Sequence, residues 1–252
     1  MRENDVYSRV DYRRLVAWPQ RIEREWPFLS RVLGKGGRVL DLGSGTGEHS
    51  RFLASKGFEV VGIDSSPSML AKAVDSPLPP NLAFVEGDIA EVERLTSGAF
   101  DGAICLGNTL PHVRDRAGLM RLVTGLRARL RPGAALVLQV LNYDKVLDGG
   151  QRFLPLNFRK DEGEGDVVFL RLMTPHADGT VVFTPTTLRY RPDGDPPVDV
   201  IATRNVLLKG WRRRELEDAL EEGGFSRREV FGTVGDIPFD PASSPDTVIV
   251  AR

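Results

Sequence analysis

The stretch Val39-Leu40-Asp41-Leu42-Gly43-Ser44-Gly45-Thr46-Gly47 constrains this chain more than any other. An apolar run (Val39, Leu40, Leu42) reads as a short buried strand. Three glycines on alternate positions follow at once, and Phe52, Leu53 and Ala54 then set a helical spacing. Strand, glycine turn and helix form the front of a βαβ nucleotide-binding unit. Glycine is needed there because the backbone must turn sharply and let a ligand approach without a Cβ in the way.

Two details narrow the ligand. The dinucleotide fingerprint G-x-G-x-x-G would end on residue 48, where this chain has Glu48. Asp41 also stands just before the first glycine, where a pyrophosphate would meet a second negative charge in a poorly solvated place. A cationic ligand gains from that same charge. S-adenosylmethionine, with an ammonium, a sulfonium and no phosphate, is the expected cofactor, and NAD is disfavoured.

At 252 residues the chain is long enough to bury a substantial core. Its formal net charge of −1 argues against a broad grip on a nucleic-acid backbone. A single cysteine, Cys105, excludes an intramolecular disulfide and thiolate-rich metal sites. It lies in an apolar run and reads as a buried small hydrophobe; no metal is expected. The first residues lack a signal-peptide core and no apolar run is of membrane-spanning length, so a cytoplasmic protein without membrane contact is expected.

Residues 1–35 are expected to form a helical segment over the cofactor cleft, with Leu15, Trp18, Ile22, Trp26 and Leu29 as its apolar stripe. Pro19 and Pro27 should break it into shorter helices. Phe58 to Ile63 reads as a second strand. It finishes at Asp64, about 20 residues beyond the glycines, where an acid accepts ribose hydroxyls. Ser65 follows on the same wall, and Ser66-Pro67 starts a helix whose Met69 either covers an adenine face or belongs to the core. Leu82 to Glu86 is a third strand. After it Asp88 is placed to accept from an adenine amino group, with Ile89 beside the ring. Phe100 to Leu106 and Ala134 to Leu141 are the fourth and fifth strands, around a helix capped by Asp115.

Strands alternating with helices predict a doubly wound α/β fold: a mostly parallel, seven-stranded Rossmann-like sheet covered on both faces. Beyond Asn142 the pattern changes. Residues 150–165 read as loop. Val167–Leu172, Thr180–Arg191 and Val198–Leu208 read as an antiparallel β insert, set at 146–207, that serves as a lid or a homo-oligomer contact. Residues 1–252 are otherwise one domain, ending in a helix from Arg212 to Glu222 and two strands.

This order of motifs resembles that of the class I S-adenosylmethionine-dependent methyltransferases, over about residues 36–145 and more loosely over 205–252. It is similar in particular to the glycine N-methyltransferase-like branch. The residues that carry this are Ile104-Cys105-Leu106-Gly107-Asn108-Thr109-Leu110-Pro111-His112, Asn142-Tyr143-Asp144, and the amino-terminal helix with Arg21. The resemblance implies that Asp41, Gly43 and Gly45 line the methionine end of the cofactor. It likewise implies Asp64 on the ribose, Asp88 and Ile89 at the adenine, the Leu106 backbone near the sulfonium, and Arg21 on the cofactor carboxylate. One position departs: the branch has an arginine for the amino-acid carboxylate where this chain has Leu141, which puts glycine itself in doubt as acceptor.

The expected activity is in-line methyl transfer to a small-molecule acceptor, an amine by preference. Such transfer needs alignment, water exclusion and a deprotonated acceptor rather than a covalent nucleophile. Asn108 is expected to position the acceptor and Tyr143 to orient it from the opposite side of the cleft; His112 either takes a proton or packs the turn after Pro111 as a structural residue. Tyr12 and Trp18 are read as core or as an aromatic lid. The alternatives are a methyltransferase for an O-, C- or RNA acceptor, and a cofactor-binding protein without transfer activity.

Overall fold

The computed structural model describes residue 13, residues 16–160 and residues 165–252. The elements that position the site are β1 (Gly37–Leu42), β2 (Phe58–Asp64), β3 (Leu82–Glu86), β4 (Phe100–Cys105), β5 (Leu130–Leu141), β11 (Arg228–Phe231) and β12 (Asp246–Ala251). They form one seven-stranded sheet in the order β11-β12-β5-β4-β1-β2-β3. The pairs from β5 to β3 are parallel; β12 enters antiparallel between β5 and β11. This is the Rossmann-like methyltransferase fold.

The strands bury both faces because alternate side chains serve opposite layers. Leu40 and Leu42 join Leu119, Leu122, Leu126, Leu216 and Leu220 from helices α5 (Arg116–Arg129) and α7 (Arg213–Glu222). Val39, Val60, Ile104, Val137 and Val248 face Phe28, Leu29 and Leu53 from α1 (Trp18–Leu33) and α2 (Glu48–Ser55). Cys105 is fully buried, and burial pushes its thiol up to about 12. It is a core residue.

Four sequence expectations shift. Residues 18–33 form one helix across Pro27, not shorter pieces. Pro19 sits in the first turn, where no donor is required, and Pro27 removes one bond from a helix whose inner face is already anchored by Phe28, Leu29, Val32 and Leu33. Leu15 and Tyr12 lie outside the described residues. β5 begins at Leu130, ahead of Pro132-Gly133. The loop read at 150–165 contains a short strand, β6 (Asn157–Arg159). The third β segment is two strands, β9 (Val198–Thr203) and β10 (Val206–Lys209).

The insert is a second sheet, built on β7 (Asp166–Pro175) and β8 (Thr180–Tyr190). Its order is β10-β8-β7-β6, with β9 also on β8. It runs to Lys209, two residues past the expected edge. Met173 and Val181 share the main core with Tyr143 and Trp211, which fixes the insert to the end of the parallel sheet. No helix among the described residues is long and apolar enough to cross a membrane.

A bipolar cleft at the strand ends

A cleft of about 1220 Å³ opens at the carboxyl ends of the parallel strands. Its inner wall is the turn after β1. Gly43, Gly45 and Gly47 have φ of 71°, 57° and 84°, a region open to glycine at little cost. Gly43 is required for a second reason: a Cβ there would lie 2.1 Å from Thr109 Cγ2. A Cβ on Gly45 would meet nothing within 4 Å, so this backbone faces open space.

Asp41 is 3% exposed and accepts a hydrogen bond from the Ser50 hydroxyl at 2.5 Å. Burial raises its carboxyl above the ordinary value; His49 and the Ser50 hydroxyl oppose that shift, and Asp64 and Glu48 add to it. Asp64 closes the turn, accepting from Gly45 N–H at 2.8 Å and from Ser66 N–H at 2.9 Å. The Ser66 hydroxyl in turn caps α3 (Pro67–Ala73) by accepting from Met69 N–H. Ser65 and Met69 line the cleft beside Asp64. Asp88 and Ile89 follow after β3, Asp88 spending one oxygen on Ala90 N–H at 2.9 Å. Leu106 completes this wall from the end of β4.

The outer wall comes from α1. Arg21 pairs with Glu25 at 2.8 Å, and Glu25 lies 2.8 Å from His49 Nε2. Burial alone would raise the Glu25 carboxyl, but the His49 and Arg21 contacts outweigh it and hold it below the usual carboxylate range. Arg21 also reaches Gln139 Oε1 at 3.4 Å. Gln139 accepts from Gly107 N–H at 3.0 Å and donates to Asp246 at 2.9 Å. Arg13 fastens the glycine turn, bonding Glu48, Asp75 and the Thr46 and Lys72 carbonyls. Sequence reading had singled out none of Gln139, Glu25, His49 or Arg13. Gln139 carried a faint signal, a lone polar residue inside an apolar strand run.

The acceptor-side residues sit differently from one another. Asn108 and His112 line the cleft, and Tyr143 does not. Tyr143 is 1% exposed, and its hydroxyl accepts from Asn108 Nδ2 at 3.1 Å, so it lies behind Asn108 rather than across from it. The Asn108 oxygen accepts from Leu141 N–H at 3.0 Å. With φ of 66°, Asn108 holds a left-handed turn that asparagine tolerates better than most residues. Asn142 caps α6 (Tyr143–Asp148) and donates to the Pro241 and Ser244 carbonyls, each at 3.0 Å. Asp144 accepts from Arg213 N–H at 3.2 Å. The Asn142-Tyr143-Asp144 motif is thus a joint between β5, α6 and the last helix, not a cleft surface.

His112 faces the cleft from the short turn Leu110–His112, braced by the Trp211 indole donating to Val113 O at 2.9 Å. The surrounding walls and the Arg204 guanidinium hold its imidazole below the ordinary histidine value. The insert supplies a further wall, with Asn157, Arg159, Phe169, Arg171, Phe183 and Arg204 on its inner face, and residues 233–237, between β11 and β12, also line the cleft. No cluster of histidine, cysteine and acids fit to hold a metal occurs among the described residues.

The inner wall fits a cationic nucleoside cofactor. Gly45 presents bare backbone to the space, and Ser44 Oγ is buried without a hydrogen-bond partner among the described residues. Asp41, Glu48, Asp64 and Asp88 surround that space, a set that repels a phosphate and attracts a positive group. The chain has the fold of the S-adenosylmethionine-dependent methyltransferases.

Comparison with known proteins agrees. Residues 39–133 match the profile of the family described as "Methyltransferase domain". The chain is 37% identical over 141 residues to a glycine/sarcosine N-methyltransferase of Parasynechococcus marenigrum (strain WH8102), covering 54% of this chain and 50% of the relative. It is 34% identical over 126 residues to the glycine N-methyltransferase of Mus musculus, covering 45% and 43%. The chain thus spans about half the length of these curated relatives. Among solved structures, it resembles in fold CcbJ methyltransferase from Streptomyces caelestis (TM-score 0.70, 23% identity, 92% of this chain and 89% of that one). CalS10, an amino pentose methyltransferase solved with S-adenosylmethionine bound, is similar at TM-score 0.68 and 20% identity, covering 94% and 92%.

Proposed function

We propose that this chain is a methyltransferase that moves the methyl group of S-adenosylmethionine to the nitrogen of a small amine. The observation that carries the reading is one cleft lined together by the acid-bearing glycine turn, by Asn108 and His112, and by the inner face of the insert. S-adenosylmethionine supplies a methyl already activated on a sulfonium. Asp64 would hold the ribose hydroxyls, Asp88 and Ile89 the adenine, Asp41 with the Gly43–Gly45 backbone the methionine end, and Arg21 its carboxylate. Ser65, Met69 and Leu106 complete that wall.

The protein's remaining tasks are alignment and proton removal. Asn108 presents its second amide N–H and its backbone beside the chamber while Tyr143 and Leu141 lock its orientation. His112, neutral at physiological pH, is the group within the chamber that can accept the proton an ammonium must lose. The insert closes the chamber against water. This assigns the insert to the acceptor wall and the 18–33 helix to the cofactor wall.

The test is binding first, then turnover. S-adenosylmethionine or S-adenosylhomocysteine at about 100 times its dissociation constant should stabilise the fold by roughly 2.7 kcal/mol, and NAD should not. Small amines should then support S-adenosylhomocysteine formation, and matched alcohols should not. Stabilisation by NAD and by neither adenosyl compound would overturn the reading.

A further inference from the structure

The cleft is electrically divided. Its acids, Glu25, Asp41, Glu48, Asp64, Asp88, Asp236 and Asp246, all lie outside the insert, where Arg21 and Arg24 are mixed with them. Among the described residues, the insert half contributes no carboxylate to the lining; it contributes Arg159, Arg171 and Arg204. Arg159 and Arg171 stand on neighbouring strands, β6 and β7, which pair antiparallel. Arg171 is oriented by Pro155 O at 2.7 Å and lies 5.4 Å over the Phe169 ring. Arg159 donates to its neighbour's carbonyl, Phe158 O, at 2.8 Å and forms no ion pair among the described residues. Arg204 approaches His112 from the β9–β10 connection closely enough to act on its charge.

Cations gathered in a concave, partly apolar chamber repel one another and lose solvation. The guanidinium fork also matches a carboxylate or phosphate in a way that a lysine ammonium does not. The wall near the reacting end has the opposite character, since Leu141 lines it with an apolar side chain. An acid group therefore has no cationic partner at Leu141 and has several on the insert. The cleft is also larger than the roughly 300–1,000 Å³ typical of a single small-molecule site, which leaves room for a second, extended molecule beside a cofactor.

We propose that the acceptor is an amine that also bears an oxyanion, a carboxylate or a phosphate ester, separated from the reacting nitrogen by several atoms and received by Arg159 and Arg171 of the insert. This rests on the methyltransferase reading above and names the substrate class for it. The chamber reads both ends of the acceptor: the nitrogen is brought to Asn108 and His112, and the acid is held away from Asp41 and Asp64, which would repel it.

The experiment is calorimetric titration of the full chain saturated with S-adenosylhomocysteine. Three probe series are compared at matched length: 4-aminobutyrate and 6-aminohexanoate, O-phosphoethanolamine, and the uncharged-tail amines 4-aminobutanol and 6-aminohexanol. At least one acid-bearing series should bind about 10- to 100-fold more tightly than its neutral counterpart, the range expected for one charge-assisted contact. Preference between the first two series identifies the oxyanion. Arg159→Gln, a change at a side chain with one local hydrogen bond, should remove most of that difference and leave S-adenosylhomocysteine affinity unchanged. Arg171→Lys keeps the charge but loses the fork, and should lose part of it. Equal binding of acid-bearing and neutral amines, or binding by neither, overturns the proposal. So does an Arg159→Gln protein that keeps the full preference. Failure of S-adenosylhomocysteine to bind at all is a different result, because it overturns the methyltransferase reading itself.

Discussion

The two halves of the cleft are built by different means. The wall proposed to hold the cofactor is made mostly of strand ends and the turns that leave them, so its acids are held within one turn or by the adjoining one: Asp64 by Gly45 and Ser66, Asp88 by Ala90, Asp41 by Ser50. The half proposed to receive the acceptor is assembled from elements far apart in sequence. His112 leans on Trp211 by way of Val113, Asn108 on Leu141 and Tyr143, and the insert brings in Arg159, Arg171 and Arg204. The first wall is tied to the sheet, whose strand ends place its acids. Long-range construction leaves the second half free to vary with the acceptor while the sheet stays the same.

The comparison can be sharpened first on the acceptor side, where the largest effect is expected. His112 titrates below the ordinary histidine value of 6.5 because of the surrounding walls and Arg204. It is therefore neutral above that point and able to accept a proton. Turnover should be flat above neutral pH and fall as pH drops through the lowered pKa, since the protonated ring can no longer serve. His112→Gln should lower kcat/KM by about 100-fold or more, the usual contribution of a general base. It should also lose the acidic limb while keeping cofactor affinity. A variant with the wild-type pH profile would make His112 a packing residue.

The cofactor half makes a contrasting prediction, because two glycines of one turn should fail in different ways. Gly43→Ala places a Cβ 2.1 Å from Thr109 Cγ2 at a φ of 71°. Left-handed strain of about 1–2 kcal/mol and overpacking of about 1–3 kcal/mol should together lower stability by roughly 3 kcal/mol, read from the urea midpoint. Gly45→Ala has the strain without the clash, so stability should fall by only about 1–2 kcal/mol. Its Cβ stands in the cleft, and S-adenosylhomocysteine affinity should fall instead. Equal stability losses at the two positions would mean that the turn is not shaped by Thr109.

Contact range, on either side of the cleft, explains how much could be read from the sequence. The parallel sheet, the acid–glycine turn and the strand-end acids follow local rules of spacing and capping, and the capping roles of Ser66 and Asp115 on their helices are of that kind. Glu25 and His49 meet only because α1 crosses α2, and Gln139 acts only because β5 lies between β4 and β12. No spacing in the chain announces such pairs. Which face of the insert is turned to the cleft was equally invisible. Alternation along β7 separates Phe169 and Arg171 from Leu170 and Leu172, but not inside from outside. The placement of Tyr143 shows the same limit: motif order sets it across the cleft from Asn108, and packing decides that it stands behind.

Tyr143 is where the two halves join, and it should give the smallest effect. Its ring is fully buried in the core shared with the insert, and its hydroxyl is raised well above the usual tyrosine value by burial. At any working pH it is therefore a neutral hydrogen-bonding group, not a base. Tyr143→Phe keeps the packing and removes the oxygen that accepts from Asn108 Nδ2. The amide keeps Leu141 N–H as its second partner, so it should not swing free. Stability should fall by about 1–2 kcal/mol for one buried donor left without its acceptor. Turnover should fall by a few-fold through a looser Asn108, with cofactor affinity unchanged and the pH profile unmoved. A loss of turnover as large as that of His112→Gln, without a matching loss of stability, would place the hydroxyl in the chemistry. The acceptor chamber would then have to extend behind Asn108, into space the packed core now fills.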